Sequence, residues 1–351
     1  MKSHRLLSLA AVLAPVFSAA TLLAWDAPGH RIVNRFALSS LPPDFPDFVR
    51  APAAVERIAF LAGEPDRWSH ASDLSLKHYN WPDHYLDIEQ LPDAGLDPAT
   101  LPSFRYEFVA AFAAARVAHA DKFPPIDPAK DPDRTRRWPG FLPWTVTESF
   151  GKLKTAFSSL KVYRELGTPA EITNAEEDVI YLMGTMGHYV GDMTEPLHTT
   201  VQHDGWTGPN PRGYYTGKGF HTWIDSGLIA KAGIRIEDVA PRMTAAQPLS
   251  LAPRPDGRDP VFVAMVDFIV EQNKLVEPLY QLDLDHKLGR GDIAVAPEGR
   301  ALIEQQLAKG GELLGGLWLT AWRSAPPDTY LRSVLIKRQL EKTPAAAPVS
   351  K

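Results

Sequence analysis

Cysteine is absent from this chain of 351 residues. Its absence excludes a disulfide framework and thiolate chemistry, and it confines any metal site to nitrogen and oxygen ligands. Positive charge is also in short supply. Lysine and arginine number 37 against 42 aspartates and glutamates, a formal net charge of −5. No basic surplus advertises the counterion-releasing surface that ordinary nucleic-acid binders carry, so a phosphodiester substrate would need positive charge from another source. Neither a G-x-S-x-G elbow nor a P-loop occurs, and the serine-hydrolase and nucleoside-triphosphatase readings fail with them. After the first segment no uninterrupted apolar run is long enough to span a bilayer. Alternating runs of the kind that make strands are scarce, and neither an internal repeat nor a clear linker is visible.

What is present starts with a targeting segment. MKSHRLLSLAAVLAPVFSAATLLA places Lys2 and Arg5 ahead of a long apolar run that ends in small residues near Ala24. That pattern reads as a secretory signal peptide over residues 1–24, with a membrane anchor as its competitor. Leu22 departs from the small-x-small rule at the cut. Cleavage removes two positive charges and leaves a formal net charge of −7. The expected location is therefore secreted or periplasmic.

Beyond the leader the apolar residues recur at three- and four-residue spacing. RIVNRFALSSL, FRYEFVAAFAAARVAHA, VTESFGKLKTAFSSLKVYREL, TNAEEDVIYLMGTMGHYVGDM, DPVFVAMVDFIVEQNKLVEPLY and PEGRALIEQQLAKGGELLGGLWLTAWRSA all show it. With 44% hydrophobic residues the chain can bury one large core. The simplest reading is one all-α domain over 25–336, followed by a low-complexity disordered tail over 337–351. Two Pro- and Gly-rich connections with aromatic residues, 123–144 and 203–219, have the character of loops over a binding cleft.

The chemistry concentrates in GHYVGDMTEPLH, residues 187–198. His188 and Asp192 lie four apart on a helix and share one face, Pro196 ends that helix, and His198 follows just past the turn. GFHTWIDSGLI repeats the device with His221 and Asp225. A single His-x-x-x-Asp is common on solvated helices. Two copies with a histidine between them, set among Tyr189, Val190, Trp223 and Ile224, fit a metal site better than a solvated face.

These motifs resemble the zinc-dependent nucleases of the S1/P1 type, which share a fold with bacterial zinc phospholipase C. The resemblance runs from Trp25 to about Ser324. It rests on WDAPGH with His30 five residues after Trp25, on the two His-x-x-x-Asp pairs, and on the length of the stretch from His198 to His221. It implies an all-α helical bundle holding three zinc ions. The first ion would take Asp66, His84, His188 and Asp192, and the second His198, His221 and Asp225. The third would take the α-amine and carbonyl of Trp25, His30 and the other oxygen of a bridging Asp192. His78 is an alternative to His84, and Asp73 to Asp66. Tyr85 and Asp87 would serve a nucleobase pocket, with Tyr85 stacking an unpaired base. His70, His119, His203 and His286 fit no pattern and read as surface or structural residues. The family arginine three residues after the first aspartate is missing, since Ser69 stands there, and Arg67 is the candidate to replace it in a catalytic role beside Asp66.

The implied activity is hydrolysis of single-stranded DNA and RNA to 5′-phosphorylated nucleotides by a hydroxide shared between two zincs, with possible 3′-nucleotidase activity. Zinc suits the donor set, and six metal charges would outweigh the chain's negative balance. Phospholipid is the alternative substrate, because Trp206, Tyr214 and Tyr215 of the 203–219 loop suit a lipid interface as well as bases. A non-catalytic exported zinc-binding protein is the reading from another class. No obligate protein partner is implied.

Overall fold

The structure, a computed structural model, describes residues 27–342, so the leader and Trp25 lie outside the described residues. Within them the chain is all-α, and the one β-type pairing is an isolated antiparallel bridge between Leu86 and Gly140. The first elements are α1 (Ala27–Ser40), α2 (Pro52–Leu61), α3 (Glu64–Ser69), α4 (Leu74–Asn80), the single turn α5 (Gln90–Asp93) and α6 (Arg105–Ala118). Two long helices come next, α7 (Leu142–Leu166) and α8 (Pro169–Thr194). Short pieces α9 (Phe220–Thr222), α10 (Leu228–Ala232) and α11 (Ile236–Val239) lead to α12 (Pro260–Asn273) and α13 (Val276–Leu284). The chain closes with α14 (Pro297–Ser324) and α15 (Thr329–Lys342).

The central element is α8, and its ends are set by sequence. Thr168 Oγ1 accepts from Glu171 N–H, and the Glu171 carboxylate accepts in return from Thr168 N–H at 2.8 Å. This capping box, with Pro169 in the first turn, starts the helix where two otherwise unbonded N–H groups are satisfied. Pro196 stops it, because proline supplies no N–H to the preceding turn. From Met183 to Thr194 every residue is buried, so this half is a core helix enclosed on all sides.

Close approach makes that enclosure possible. At Gly187 a Cβ would strike the Asn34 side chain, which reaches in from α1. Asn34 Nδ2 donates to Ile58 O at 2.8 Å and Gly184 O at 3.1 Å, tying α1, α2 and α8 at one buried point. Around it α1, α2, α7 and α14 pack against α8, and Val33, Phe36, Trp144, Met186, Met193 and Trp318 belong to one continuous core. Each buried apolar side chain of that size contributes roughly 1.5–3 kcal/mol over exposure. The packing therefore fixes the place where α8 ends, and with it the histidines at its C-terminus.

Two boundaries differ from the sequence expectation. The helical pattern over 259–280 is broken at Lys274 and Leu275 into α12 and α13. Pro278 explains it, since its ring displaces the hydrogen bond that residue 274's carbonyl would otherwise accept. The tail does not start at residue 337. Helix α15 continues to Lys342, held by Arg332 on Glu165 and by Arg338 on Glu171 at 2.6 Å. Residues 343–351 lie outside the described residues. Among the described residues no helix is long and apolar enough to cross a membrane.

Candidate metal centre

Four elements converge on the first ligand group. Helix α1 brings His30 in its opening turn, α3 brings Asp66, a 3₁₀ turn at Trp81–His84 brings His84, and α8 brings His188 with Asp192. His30, His188 and Asp192 have no exposed surface at all. The His30 and His188 rings stack with centroids 4.0 Å apart. Asp192 faces two ways: Oδ1 lies 3.4 Å from His30 Nε2, while Oδ2 lies 3.1 Å from His84 Nδ1 and 3.4 Å from His188 Nε2. Asp66 Oδ1 closes the group at 3.6 Å from His188 Nε2 and 3.9 Å from His84 Nδ1. Two sets of potential metal ligands overlap here, His30–His188–Asp192 and Asp66–His84–His188, each with its ligand atoms within 4.8 Å of one another.

Surrounding bonds hold these side chains in place. Asn80 Nδ2 donates to Pro65 O at 2.7 Å, and its Oδ1 accepts from Tyr189 at 3.0 Å, linking α4 to α3 and α8. Arg105 donates to Asp83 at 2.6 Å and to Glu148, which pins the 3₁₀ turn bearing His84 against α6 and α7. Such supporting contacts orient ligands and are needed for a working centre.

A second group forms where α8 ends: Glu195, His198, His221 and Asp225, again within 4.8 Å. His198 lies on a 3₁₀ turn at Pro196–Thr199, and Asp225 within a π turn at Trp223–Gly227. Such π turns are rare and concentrate at functional sites. His221 Nε2 is 3.0 Å from both His198 Nε2 and Asp225 Oδ2, and 3.8 Å from Glu195 Oε2. Glu195 is fully buried, and its carboxylate, faced by the Leu197 backbone N–H and the His221 ring, makes no well-formed hydrogen bond. It was missed in the sequence, where it reads as a turn residue before Pro196. The usable signal was a carboxylate enclosed among residues that are otherwise apolar or ligating.

The donor set fits divalent ions. His188 Nδ1 and His198 Nδ1 face the carbonyls of Ala62 and His84, each at 2.7 Å. A carbonyl only accepts, so both Nδ1 atoms carry hydrogen, and each neutral ring turns an Nε2 lone pair inward. Those lone pairs point at further ring nitrogens only 3.0 Å away. Both Asp192 oxygens are likewise buried without a hydrogen-bond donor. Converging lone pairs and carboxylates repel one another unless a proton or a cation lies between them. Burial pushes the Asp192 and Glu195 carboxyls well up, and the His84, His188 and His198 imidazoles down. His221 moves the other way. Burial opposes its charge, but the adjacent Asp225 carboxylate prevails and lifts it to about 9.

The alternatives left open by the sequence fall in different places. His84 belongs to a group that could hold a metal ion, whereas His78 Nδ1 donates to Asp133 O at 2.6 Å. Asp66 belongs to the same group, while Asp73 caps α4 by accepting from Leu76 N–H. Tyr85 and Asp87 follow His84 directly but enter neither group. Asp87 is buried, accepts from Gln90 at 2.7 Å, and is raised by burial to about 7. Arg67, the candidate catalytic arginine, has its guanidinium 4.5 Å from the centre of the Phe60 ring and 3.3 Å from Glu64, one helical turn back. Ser69 donates to the Asp66 carbonyl, and His70 bonds the same atom in a structural role.

The 203–219 loop turns its aromatic residues inward. Trp206 packs on Tyr214 and Tyr280, Tyr214 is buried, and Tyr215 lies beneath Arg290. A groove of about 750 Å³ between α7 and α8, lined by residues such as Lys152, Tyr163 and Asp178, touches neither ligand group. In comparisons with known proteins no family model matches the chain, and no curated protein is similar to it in sequence.

Proposed function

We propose that this chain is an exported zinc-dependent phosphodiesterase of the S1/P1 nuclease type, acting on single-stranded DNA and RNA. The observation that carries the reading is the overlap of buried histidine–carboxylate groups at the end of α8, with Asp192 turned toward His30 on one side and toward His84 and His188 on the other. Asp66, His84, His188 and Asp192 would hold one zinc, and Glu195, His198, His221 and Asp225 another. His30 and Asp192, with the terminal amine of Trp25, would hold a third. When bound, these ions supply positive charge against a phosphoryl group and activate water near neutral pH.

The chain's own residues do the positioning. The Ala62 and His84 carbonyls fix the tautomers of His188 and His198, so both Nε2 atoms accept. Deep burial excludes bulk water and strengthens every charge interaction inside. Tyr85 and Asp87 lie beside His84, where a base would stack and be read; stacking is worth roughly 1–3 kcal/mol and requires an unpaired base.

The test uses full-length protein processed to begin at Trp25. Release of acid-soluble nucleotide from single-stranded DNA is measured, then measured again with chelator, and a third time with zinc restored. Chelator-sensitive, zinc-rescued release is expected. Tightly held zinc without release from DNA, RNA or phosphatidylcholine overturns the enzyme reading. Turnover of phosphatidylcholine alone transfers it to a phospholipase.

A further inference from the structure

Two helices of the core carry an amide where their spacing calls for an apolar side chain. On α12 the buried stripe runs Phe262, Met265, Ile269 and then Gln272. On α14 it runs Ile303, Gln306, Gly310 and Leu314. Both glutamines are buried. A leucine or methionine would fill either place without desolvating an amide, and Gln306 keeps its Oε1 buried with no hydrogen-bond partner among the described residues. A polar group held inside a core on those terms points to what its other atoms grip.

Both reach the chain that leaves α8. Gln306 Nε2 donates to Thr194 O at 2.6 Å and to Gln272 Oε1, which joins α14 and α12 to the last carbonyl of α8. Asn273, the next residue on α12, donates to Thr199 O at 3.0 Å and to Thr199 Oγ1 at 3.3 Å. Its amide also lies 3.4 Å from Glu89 Oε1. Glu89 in turn accepts from Thr200 Oγ1 at 2.6 Å and from Val201 N–H at 3.2 Å. Leu86 N–H and Ile88 N–H donate to the carbonyls of His198 and Thr199. Glu195 and His198 are thereby bracketed. Gln306 and Gln272 hold the backbone one residue before the pair, and Asn273 with Glu89 holds it from one to three residues after. The turn between them needs such support, since His198 lies on a 3₁₀ turn of four residues, whose hydrogen bonds are fewer and poorer in geometry than those of an α-helix. His188, by contrast, is carried inside α8 itself.

We infer that Gln272, Asn273 and Gln306 are positioning residues for the second ligand group: the C-terminal end of α12 is the mount from which Glu195 and His198 are aimed at His221 and Asp225. The bonds described go to the backbone of the turn, to Thr199 and to Glu89, and not to a ligand side chain. The mount therefore acts on where His198 Nε2 points, and its loss should misdirect that atom while the helical core stays folded. That role rests on the phosphodiesterase reading only for the ion the group would hold; the aim of His198 is a property of the chain and can be read by itself.

The experiment follows two imidazole protons by NMR in full-length protein with isotope-labelled histidine, with zinc and without it. The Nδ1 hydrogen of His198 lies on His84 O and that of His188 on Ala62 O, so the first reports on the turn and the second on α8. Asn273→Leu is the cleanest variant, because every group it releases keeps another bond. Thr199 O accepts from Ile88 N–H, Thr199 Oγ1 donates to Pro196 O, and Glu89 retains Thr200 and Val201. Exchange of the His198 proton with solvent should quicken by at least about tenfold as the turn opens locally, with the His188 proton and the thermal transition unchanged. Zinc at the second group should weaken by roughly 10-fold in competition with a chromophoric chelator, and zinc at the first should hold. Asn273→Asp keeps the shape and removes the donor, so it should act alike, whereas a packing role would leave it silent. If Asn273→Leu does not fold, the pair Q272M/Q306M carries the test from the Thr194 side, with the same selective change expected. Equal acceleration of both protons, or of neither, overturns the positioning role, as does an Asn273→Asp protein that matches the unmodified one. A selective change at His198 in a protein that neither holds zinc nor releases nucleotide leaves the mount standing and removes the phosphodiesterase reading. Zinc-dependent release with both protons unmoved does the reverse.

Discussion

The two ligand groups are built in opposite ways. The first draws on four elements far apart in sequence and is sealed: His30, His188 and Asp192 are wholly inside the helical core. The second is assembled from one stretch of chain at the end of α8 and another around a π turn, and its His221 side chain keeps 18% of its surface exposed. The first group therefore depends on the correct packing of the whole molecule. The second depends on two short turns and opens toward solvent. A sealed group of imidazoles and carboxylates suits retention of an ion, and an open one suits exchange with whatever occupies the cleft.

The contrast can be broken most severely at Asp192. Asp192→Asn replaces one oxygen and removes the charge of a carboxylate that faces two neighbouring positions, so elemental analysis should find more than one zinc lost per molecule. Loss of none would sink the bridging assignment. A smaller and more selective effect is expected from Glu195→Gln. It should spare the first group and weaken zinc at the second by at least the roughly 10- to 100-fold seen when an outer-shell partner is lost. Competition against a chromophoric chelator measures it, and equal affinity would show that Glu195 is not a ligand.

The smallest effect sharpens the comparison through pH. In zinc-stripped protein His221 is held at about 9 by Asp225, against 6.5 when unfolded. A raised imidazole contributes stability that is complete below pH 6.5 and is lost as pH climbs toward 9. Glu195, pushed up by burial, acts in the same direction. The stripped protein should therefore melt at progressively lower temperature across that window, whereas the zinc-loaded protein should show a flatter profile. Parallel profiles would remove the second group as the source.

Much of this was legible in the sequence, for definite reasons. The helix period exposed the all-α architecture, and the two His-x-x-x-Asp pairs announced themselves because an α-helix places such residues on one face. His84 was preferred to His78 on the resemblance's pattern in HYLD, although both precede tyrosine; in three dimensions one reaches α8 and the other the Asp133 carbonyl. Glu195 hid because a Glu-Pro step reads as a helix stop, and only burial reveals the carboxylate as part of the site. Arg67 was singled out by its place beside Asp66, and its pairing with Glu64, one turn back on a short helix, shows only in three dimensions.

His84 touches both halves of the site. Its ring enters the first group, and its carbonyl accepts the Nδ1 hydrogen of His198 in the second. Whatever immobilises that ring also steadies the carbonyl that aims the neighbouring ligand. If each group takes an ion, the two uptake equilibria are thermodynamically linked through one residue, and each occupied site changes the affinity of the other by the same factor. A titration that follows one group alone would therefore report on both.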